Sequence, residues 1–511
     1  MRQRGGRARA GTRMLLAVAL AAVLLTATAC SSGGDDDDDA AEPGTGSGDE
    51  DGGPVPGADV AQPTVTGPIT GGTQGQPFNA MPSELAERSG YVEEEYFLDG
   101  EATAYQAQGE QGEDGRWAVS EAGTAPYRTR IIVRRPEDPD DFDGTVFVEW
   151  LNVTAGVDGD PDFGLSHPEL LAHGSAYVGV SAQRAGIEGG GVLEVPGAEV
   201  VGLKQWDPER YGELVHPGDP YSYDIYSQAA QAARRPGDVD VLGGLEAQHV
   251  IAMGESQSAA RMVTYVDAVH PVAGIYDGFL IHSRGGGGAP LEDSASILGE
   301  GVARIRDDLD VPVFQFETET DLFGPLGFHR AEQDDTDLLR TWEVAGTAHA
   351  DAAILDYNAD LARAAGIDLE AECGSINQGP QAPVLRAAIT ALRAWVVDGE
   401  PPPEAPRFEI EGDAIARDER GIAQGGIRTP PVDAPVAVLT GEAPPGRSVL
   451  CMLFGDTQPF DAATLGALYP THQDYVDAVT DAADAAVDGG FLLRDDADEL
   501  VATAEEAAVP E

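Results

Sequence analysis

The chain has 511 residues, of which 31 are lysine or arginine and 89 are aspartate or glutamate, giving a formal net charge of −58. So acidic a chain repels phosphate backbones, which excludes nucleic acid as the expected partner and implies a strongly hydrated exterior. Beyond Cys30 no stretch approaches the roughly eighteen consecutive apolar residues that a membrane-spanning helix needs.

At the N-terminus, Arg2, Arg4, Arg7, Arg9 and Arg13 precede an apolar run from Met14 to Leu25 and a string of small residues ending at Cys30. This is the layout of an export signal over residues 1–30. Cys30 permits two outcomes. As the end of a lipobox it becomes an acylated N-terminus that anchors the chain to the outer face of the cytoplasmic membrane, whereas Ala27-Thr28-Ala29 as an ordinary cleavage site would release a secreted protein. Residues 31–57 are Gly, Ser, Asp, Glu and Pro with almost nothing to bury, and are expected to be a disordered acidic linker. Residues 58–511 then form one folded domain with insertions. With Cys30 set aside, Cys373 and Cys451 are an even pair, expected to form a disulfide in an oxidising compartment; two buried thiols are the alternative. No C-x-x-C or His/Cys cluster has metal-ligand spacing, and neither a metal nor an organic cofactor is expected.

Along the remaining chain, β-branched and aromatic runs at Tyr91–Leu98, Thr103–Tyr105 and Tyr127–Val133 predict antiparallel edge strands. Gly144–Leu151 and Gly174–Arg184 read as buried strands, the first followed by a turn-rich loop from Asn152. About forty residues without periodicity follow, ending in the aromatic and acidic stretch Gln205–Ser227, a candidate lid. A helix is predicted over Ser227–Arg235 and a short strand over His249–Met253. After it, Ala259, Met262, Val263 and Val266 recur at helical spacing. Further strands are predicted within Val272–Ser283, Val311–Leu322 and Leu338–Ala345, with helices near Leu298–Leu309 and over Pro383–Gly399. A last helix opens at Thr471 with Asp474 in capping-box spacing. Strands alternating with helices predict an α/β fold: a mostly parallel sheet covered by helices on both faces.

The turn between His249–Met253 and the following helix reads Gly254-Glu255-Ser256-Gln257-Ser258. It departs from G-x-S-x-G only where Ser258 replaces glycine, and serine is small enough to pack there. A sharp strand-to-helix turn lifts a serine above the sheet and aims the next amide, that of Gln257, at any negative charge developing beside it. Ser256 is thus the candidate nucleophile. Its partners should follow in the order acid, histidine, each just beyond a strand. Asp321 lies where the acid belongs, with Glu319 on the same turn as the alternative. Of nine histidines, His349 follows the next strand in a small-residue loop and is the candidate base; His282, ending the strand after the helix, is expected to line the pocket. Asn152 or Val153 would supply a second oxyanion amide.

Taken together, VEWLNVTAG, SAQRAG, DPERYG, GESQSA, ETETD, GTAH and YPTHQDYV resemble a family of exported bacterial α/β-hydrolase-domain proteins, esterase-like and largely without assigned substrates. The resemblance covers about Pro63 to Ala504. It implies an α/β-hydrolase fold, into which the candidate lid loops would be inserted, with Ser256 and His349 matching the family's triad, and no particular substrate. The expectation is a serine hydrolase acting on small carboxylic esters through an acyl-enzyme. The alternatives are an amidase or acyltransferase using the same triad, or a lipid-tethered binding protein that keeps the fold without turnover.

Overall fold

The computed structural model describes residues 56–190, 201–293, 299, 301–359 and 369–510. The export signal, Cys30 and almost all of the linker lie outside the described residues. Gly57, placed at the linker's end, donates its N–H to the Gly274 carbonyl.

Nine strands form the central sheet: β1 (Thr64–Thr66), β2 (Tyr91–Ala107), β3 (Val119–Pro136), β4 (Thr145–Trp150), β5 (Ala176–Val180), β6 (His249–Glu255), β7 (Gly278–His282), β8 (Val313–Thr318) and β9 (Leu339–Val344). Their order is β1-β2-β3-β5-β4-β6-β7-β8-β9. β1, β2, β3 and β5 pair antiparallel in turn, and every pairing from β5–β4 to β8–β9 is parallel. Parallel strands covered on both sides read as near-continuous apolar runs because neither face meets water, and β4 (TVFVEW) is buried at every residue.

Successive side chains go to opposite faces. Val146, Val148 and Trp150 of β4, with Val250 and Ala252 of β6, join one core cluster. It is covered by Ala259, Met262 and Val263 of the helix Gln257–Thr264 and by Tyr223, Tyr226 and Ala230 of the helix Ser222–Arg234. Phe147, Ile251, Met253 and Leu280 join the other, covered by Phe163 and Leu170 of the helix Pro161–His173 and by Leu385, Ile389 and Leu392 of the helix Gln381–Asp398. Met262 and Val263 are fully buried; each contributes roughly 1.5–3 kcal/mol of hydrophobic stabilisation.

Four expectations change. The two strands anticipated before Gln106 are one, β2, because Gly100 marks a close approach and not a turn: a Cβ there would lie 2.8 Å from Gln228 Oε1 and 2.9 Å from Tyr127 Cε1. No helix forms over the described part of 298–309. Instead the Arg304 and Arg306 amides donate to the Glu113 carbonyl (3.0 Å) and Asp267 Oδ1 (3.0 Å), holding the chain non-helical. Residues 191–200 of the candidate lid lie outside the described residues, and the part from 201 on is tied into the core: the helix anticipated from Ser227 starts at Ser222, burying Tyr223, Ile225 and Tyr226. Upstream, Arg210 and Tyr211 tie the helix Pro208–Tyr211 to Glu95 of β2 through contacts of 2.5 and 2.7 Å. The strand sought within Val272–Ser283 is shorter, since His270–Ala273 is helical and β7 starts at Gly278.

Candidate active site

The parallel strands deliver the site residues at their carboxyl ends. β6 runs to Glu255, and Ser256 follows with φ 60° and ψ −114° before the helix Gln257–Thr264 begins. A non-glycine residue in this sparsely populated region is held there by its surroundings. The Ser256 N–H donates to the His282 carbonyl on β7 (2.9 Å), which pins the turn to the neighbouring strand. The turn needs small residues on its inner side: a Cβ on Gly254 would meet the Ser258 Cβ at 3.1 Å and Met262 Cγ at 3.2 Å. Ser256 itself is half-buried, so its hydroxyl is reachable.

β8 runs into a short helix, Glu319–Leu322, capped by Thr318. Asp321 completes this cap: its Oδ2 accepts from the Thr318 N–H and hydroxyl, each at 2.7 Å, which aims Oδ1 outward. β9 ends at Val344 and the loop Gly346–Ala350 carries His349 back over the sheet. His349 Nδ1 lies 2.6 Å from Asp321 Oδ1, and Nε2 lies 2.7 Å from Ser256 Oγ. With the carboxylate as acceptor, Nδ1 carries the proton and Nε2 accepts from the serine hydroxyl. Burial opposes charge on His349, but the charge and hydrogen bond of Asp321 outweigh it, with Glu255 adding to the effect, so its pKa lies above the ordinary imidazole value. A carboxylate, an imidazole and a half-buried hydroxyl in one hydrogen-bonded line can move a proton from the hydroxyl onto the ring and stabilise the resulting charge.

Glu319, the alternative acid, points elsewhere. Its Oε1 accepts from the Gly346 N–H (2.7 Å), and its Oε2 from Gly441 (3.1 Å) and from Arg417 Nη2 (2.9 Å). It therefore braces the loop that carries His349 and does not touch the ring. The other proposed oxyanion groups separate in the same way. Gln257 opens the helix beside Ser256, and Val153 is buried in the loop after β4. The Asn152 N–H, by contrast, is spent on the Gly159 carbonyl (2.9 Å), which removes it as a donor. His282 is not a pocket residue: it is fully buried, with Nδ1 2.8 Å from Asp162 Oδ1. With the Gln381 amide oriented to satisfy its neighbours, His282 Nε2 donates to it and Gln381 in turn donates to the Ala348 carbonyl, next to His349. Cys373 and Cys451 are joined by a disulfide. It lies beside the His349 loop, where the Ala350 N–H donates to the Leu453 carbonyl (3.0 Å).

Two contributors escaped the sequence reading. Thr320 accepts the His349 N–H through its hydroxyl (3.1 Å). Glu255, the residue before the serine, sets its Oε1 3.4 Å from His349 Nε2. Burial pushes its carboxyl up to about 7, against the opposing charges of His349 and His282. An ionisable side chain closing an otherwise apolar strand was the signal.

A comparison with curated proteins finds no match. Among solved structures the chain is similar to XC6422 from Xanthomonas campestris, an a/b serine hydrolase without lid (10% identity, 51% of this chain and 93% of that one, TM-score 0.27). It is also similar to the esterase Est22 (15%, 55% and 81%, TM-score 0.29) and to a fungal esterase from Rhizomucor miehei (12%, 57% and 92%, TM-score 0.27). Likenesses this distant carry no argument about activity. Residues 65–502, however, match the profile of the family described as the alpha/beta hydrolase domain, and the chain belongs to that family, a hydrolase of the α/β class.

Proposed function

We propose that the protein is a serine hydrolase that cleaves small carboxylic esters through an acyl-enzyme on Ser256. The observation that carries this reading is the unbroken line Asp321–His349–Ser256, with contacts of 2.6 and 2.7 Å, ending on a half-exposed hydroxyl in a strained turn. Ser256 Oγ attacks the ester carbonyl as His349 Nε2 takes its proton. The Gln257 and Val153 amides receive the oxyanion, each donor supporting roughly 100- to 1000-fold in rate. The tetrahedral intermediate collapses as His349 protonates the departing alcohol, and a water then repeats the sequence to release the acid. Asp321 keeps the ring in the tautomer this requires. A binding protein without turnover would have no use for this alignment, which favours the enzyme over that alternative.

The test is a panel of p-nitrophenyl esters of increasing acyl length. Ser256→Ala and His349→Ala should each lose several orders of magnitude in kcat, by similar factors, because the group acts as a unit; full turnover by Ser256→Ala would sink the reading. We further propose that the enzyme works at the outer face of the cytoplasmic membrane, held by a lipidated Cys30. The arginine-rich start, the apolar run and the small residues before Cys30 support this. Metabolic labelling with an alkyne fatty acid should mark the wild type and spare Cys30→Ala; equal labelling of both would contradict it.

A further inference from the structure

We propose that Glu255 makes this site choose water over alcohols as acyl acceptor, by accepting the second O–H of the attacking water while His349 takes the first. The proposal rests on Ser256 being the nucleophile. Glu255 closes β6 and is only 8% exposed. Asn152 Nδ2 donates both to its Oε2 and to its main-chain carbonyl, each at 3.0 Å, so the carboxylate is fixed in direction. Its free oxygen, Oε1, lies 3.4 Å from His349 Nε2, the nitrogen that also faces Ser256 Oγ at 2.7 Å. Among the described residues, His349 is the one basic side chain within ion-pair distance of it. A water held at ordinary hydrogen-bond lengths of about 2.8 Å from both Nε2 and Oε1 closes a triangle over that gap.

In deacylation the water oxygen bonds to the acyl carbon and one of its protons passes to His349 Nε2. The other O–H stays on the oxygen and donates to Glu255 Oε1, a hydrogen bond that strengthens as the oxygen loses electron density in the transition state. Collapse breaks the carbon–Oγ bond, the imidazolium proton goes to Ser256 Oγ, and the carboxylic acid leaves with the retained proton, to ionise in solvent. An alcohol has a single O–H, which His349 must take; Glu255 then faces a carbon substituent and gains no hydrogen bond. The same holds for the alcohol expelled during acylation. The contact therefore favours hydrolysis specifically over acyl transfer. Burial pushes the Glu255 carboxyl up to about 7, His349 and His282 pulling it down and Asp162 and Asp321 pushing it up, so its accepting power is complete only above that pH.

The experiment supplies methanol as a competing acceptor with a p-nitrophenyl ester and measures the ratio of free acid to methyl ester. That ratio does not depend on how much of a variant is active. Glu255→Gln, whose carbonyl oxygen takes the place of Oε2 before the Asn152 Nδ2 donor and so leaves an NH2 donor where Oε1 stood, should shift it toward the methyl ester by about tenfold or more, the worth of one hydrogen bond to a charged group. In the wild type the ratio should climb toward the acid as pH rises through about 7, and in Glu255→Gln it should stay flat. An unchanged ratio in Glu255→Gln, or a wild-type ratio indifferent to pH, overturns the proposal. Both products persisting in Ser256→Ala would overturn the nucleophile assignment instead.

Discussion

His349 is the residue on which the site converges, touching Asp321, Ser256 and Glu255 through its two ring nitrogens. The two carboxylates on the turn after β8 divide their work, and mutation should separate them. Asp321→Asn removes the acceptor that sets the tautomer, and about 10⁴-fold loss of kcat is expected from the behaviour of the same change in other triads. Glu319→Gln should act mainly on stability, costing about 2 kcal/mol in urea unfolding because it breaks the charge-assisted bond to Arg417, which keeps only the exposed Glu442 as its partner. Equal losses of kcat in the two variants would contradict the assignment. The proposed mechanism needs His349 neutral, and its pKa is raised by Asp321 and Glu255 against the opposing effect of burial, so the acid limb of kcat/KM should lie above the ordinary histidine value. Removing the Glu255 charge lowers the imidazole pKa, so Glu255→Gln should carry that limb to lower pH; a shift upward would refute the coupling. Ser256, Asp321 and His349 were legible in the sequence because each follows a buried apolar run. Glu255 was hidden in plain view as the variable position of the motif, and Asn152 was read for its amide when its side chain is what matters.

At the scale of elements, the loops after β8 and β9 are braced from outside the parallel sheet. Glu319 reaches Gly346, Gly441 and Arg417; Asn377 donates to the Gly346 and Thr440 carbonyls at 3.1 and 3.0 Å. The disulfide joins segments 78 residues apart and packs with Ile376 and Phe454 against Ala350. Closing a loop of that length restricts the unfolded chain by about 4.5 kcal/mol on the chain-entropy estimate. Cys373→Ala/Cys451→Ala should lose stability on that order in denaturant unfolding; no measurable loss would mean the bridge does not restrain the unfolded chain. Periodicity revealed the parallel strands and the helix after Ser256, since burial on both faces writes itself into composition. It failed where tertiary contacts decide: 301–309 is kept out of a helix by Glu113 and Asp267, both distant in sequence, and Gly100 looks like a turn until Tyr127 and Gln228 are seen against it.

Across the whole molecule, a nine-stranded sheet sets Glu255, Thr318 and Val344 at the carboxyl ends of β6, β8 and β9, so residues far apart in sequence meet over one edge. The alternation of strands and helices was enough to foresee that architecture; the order of the strands was not, because crossover connections leave no local trace. The net charge of −58 adds a global term. Self-repulsion opposes compaction, and raising salt from 0.01 to 1 M shortens the screening length from about 30 to about 3 Å. Calorimetry should therefore show Tm climbing by several degrees over that range, and a falling Tm would mean that attractive ion pairs dominate. The claim on which the rest depends is that Ser256 forms the covalent intermediate. Intact-mass and peptide analysis after treatment with a fluorophosphonate should find one adduct per chain, on Ser256, absent from Ser256→Ala and formed far more slowly in His349→Ala. An adduct on another residue, or labelling that survives Ser256→Ala, would contradict the account.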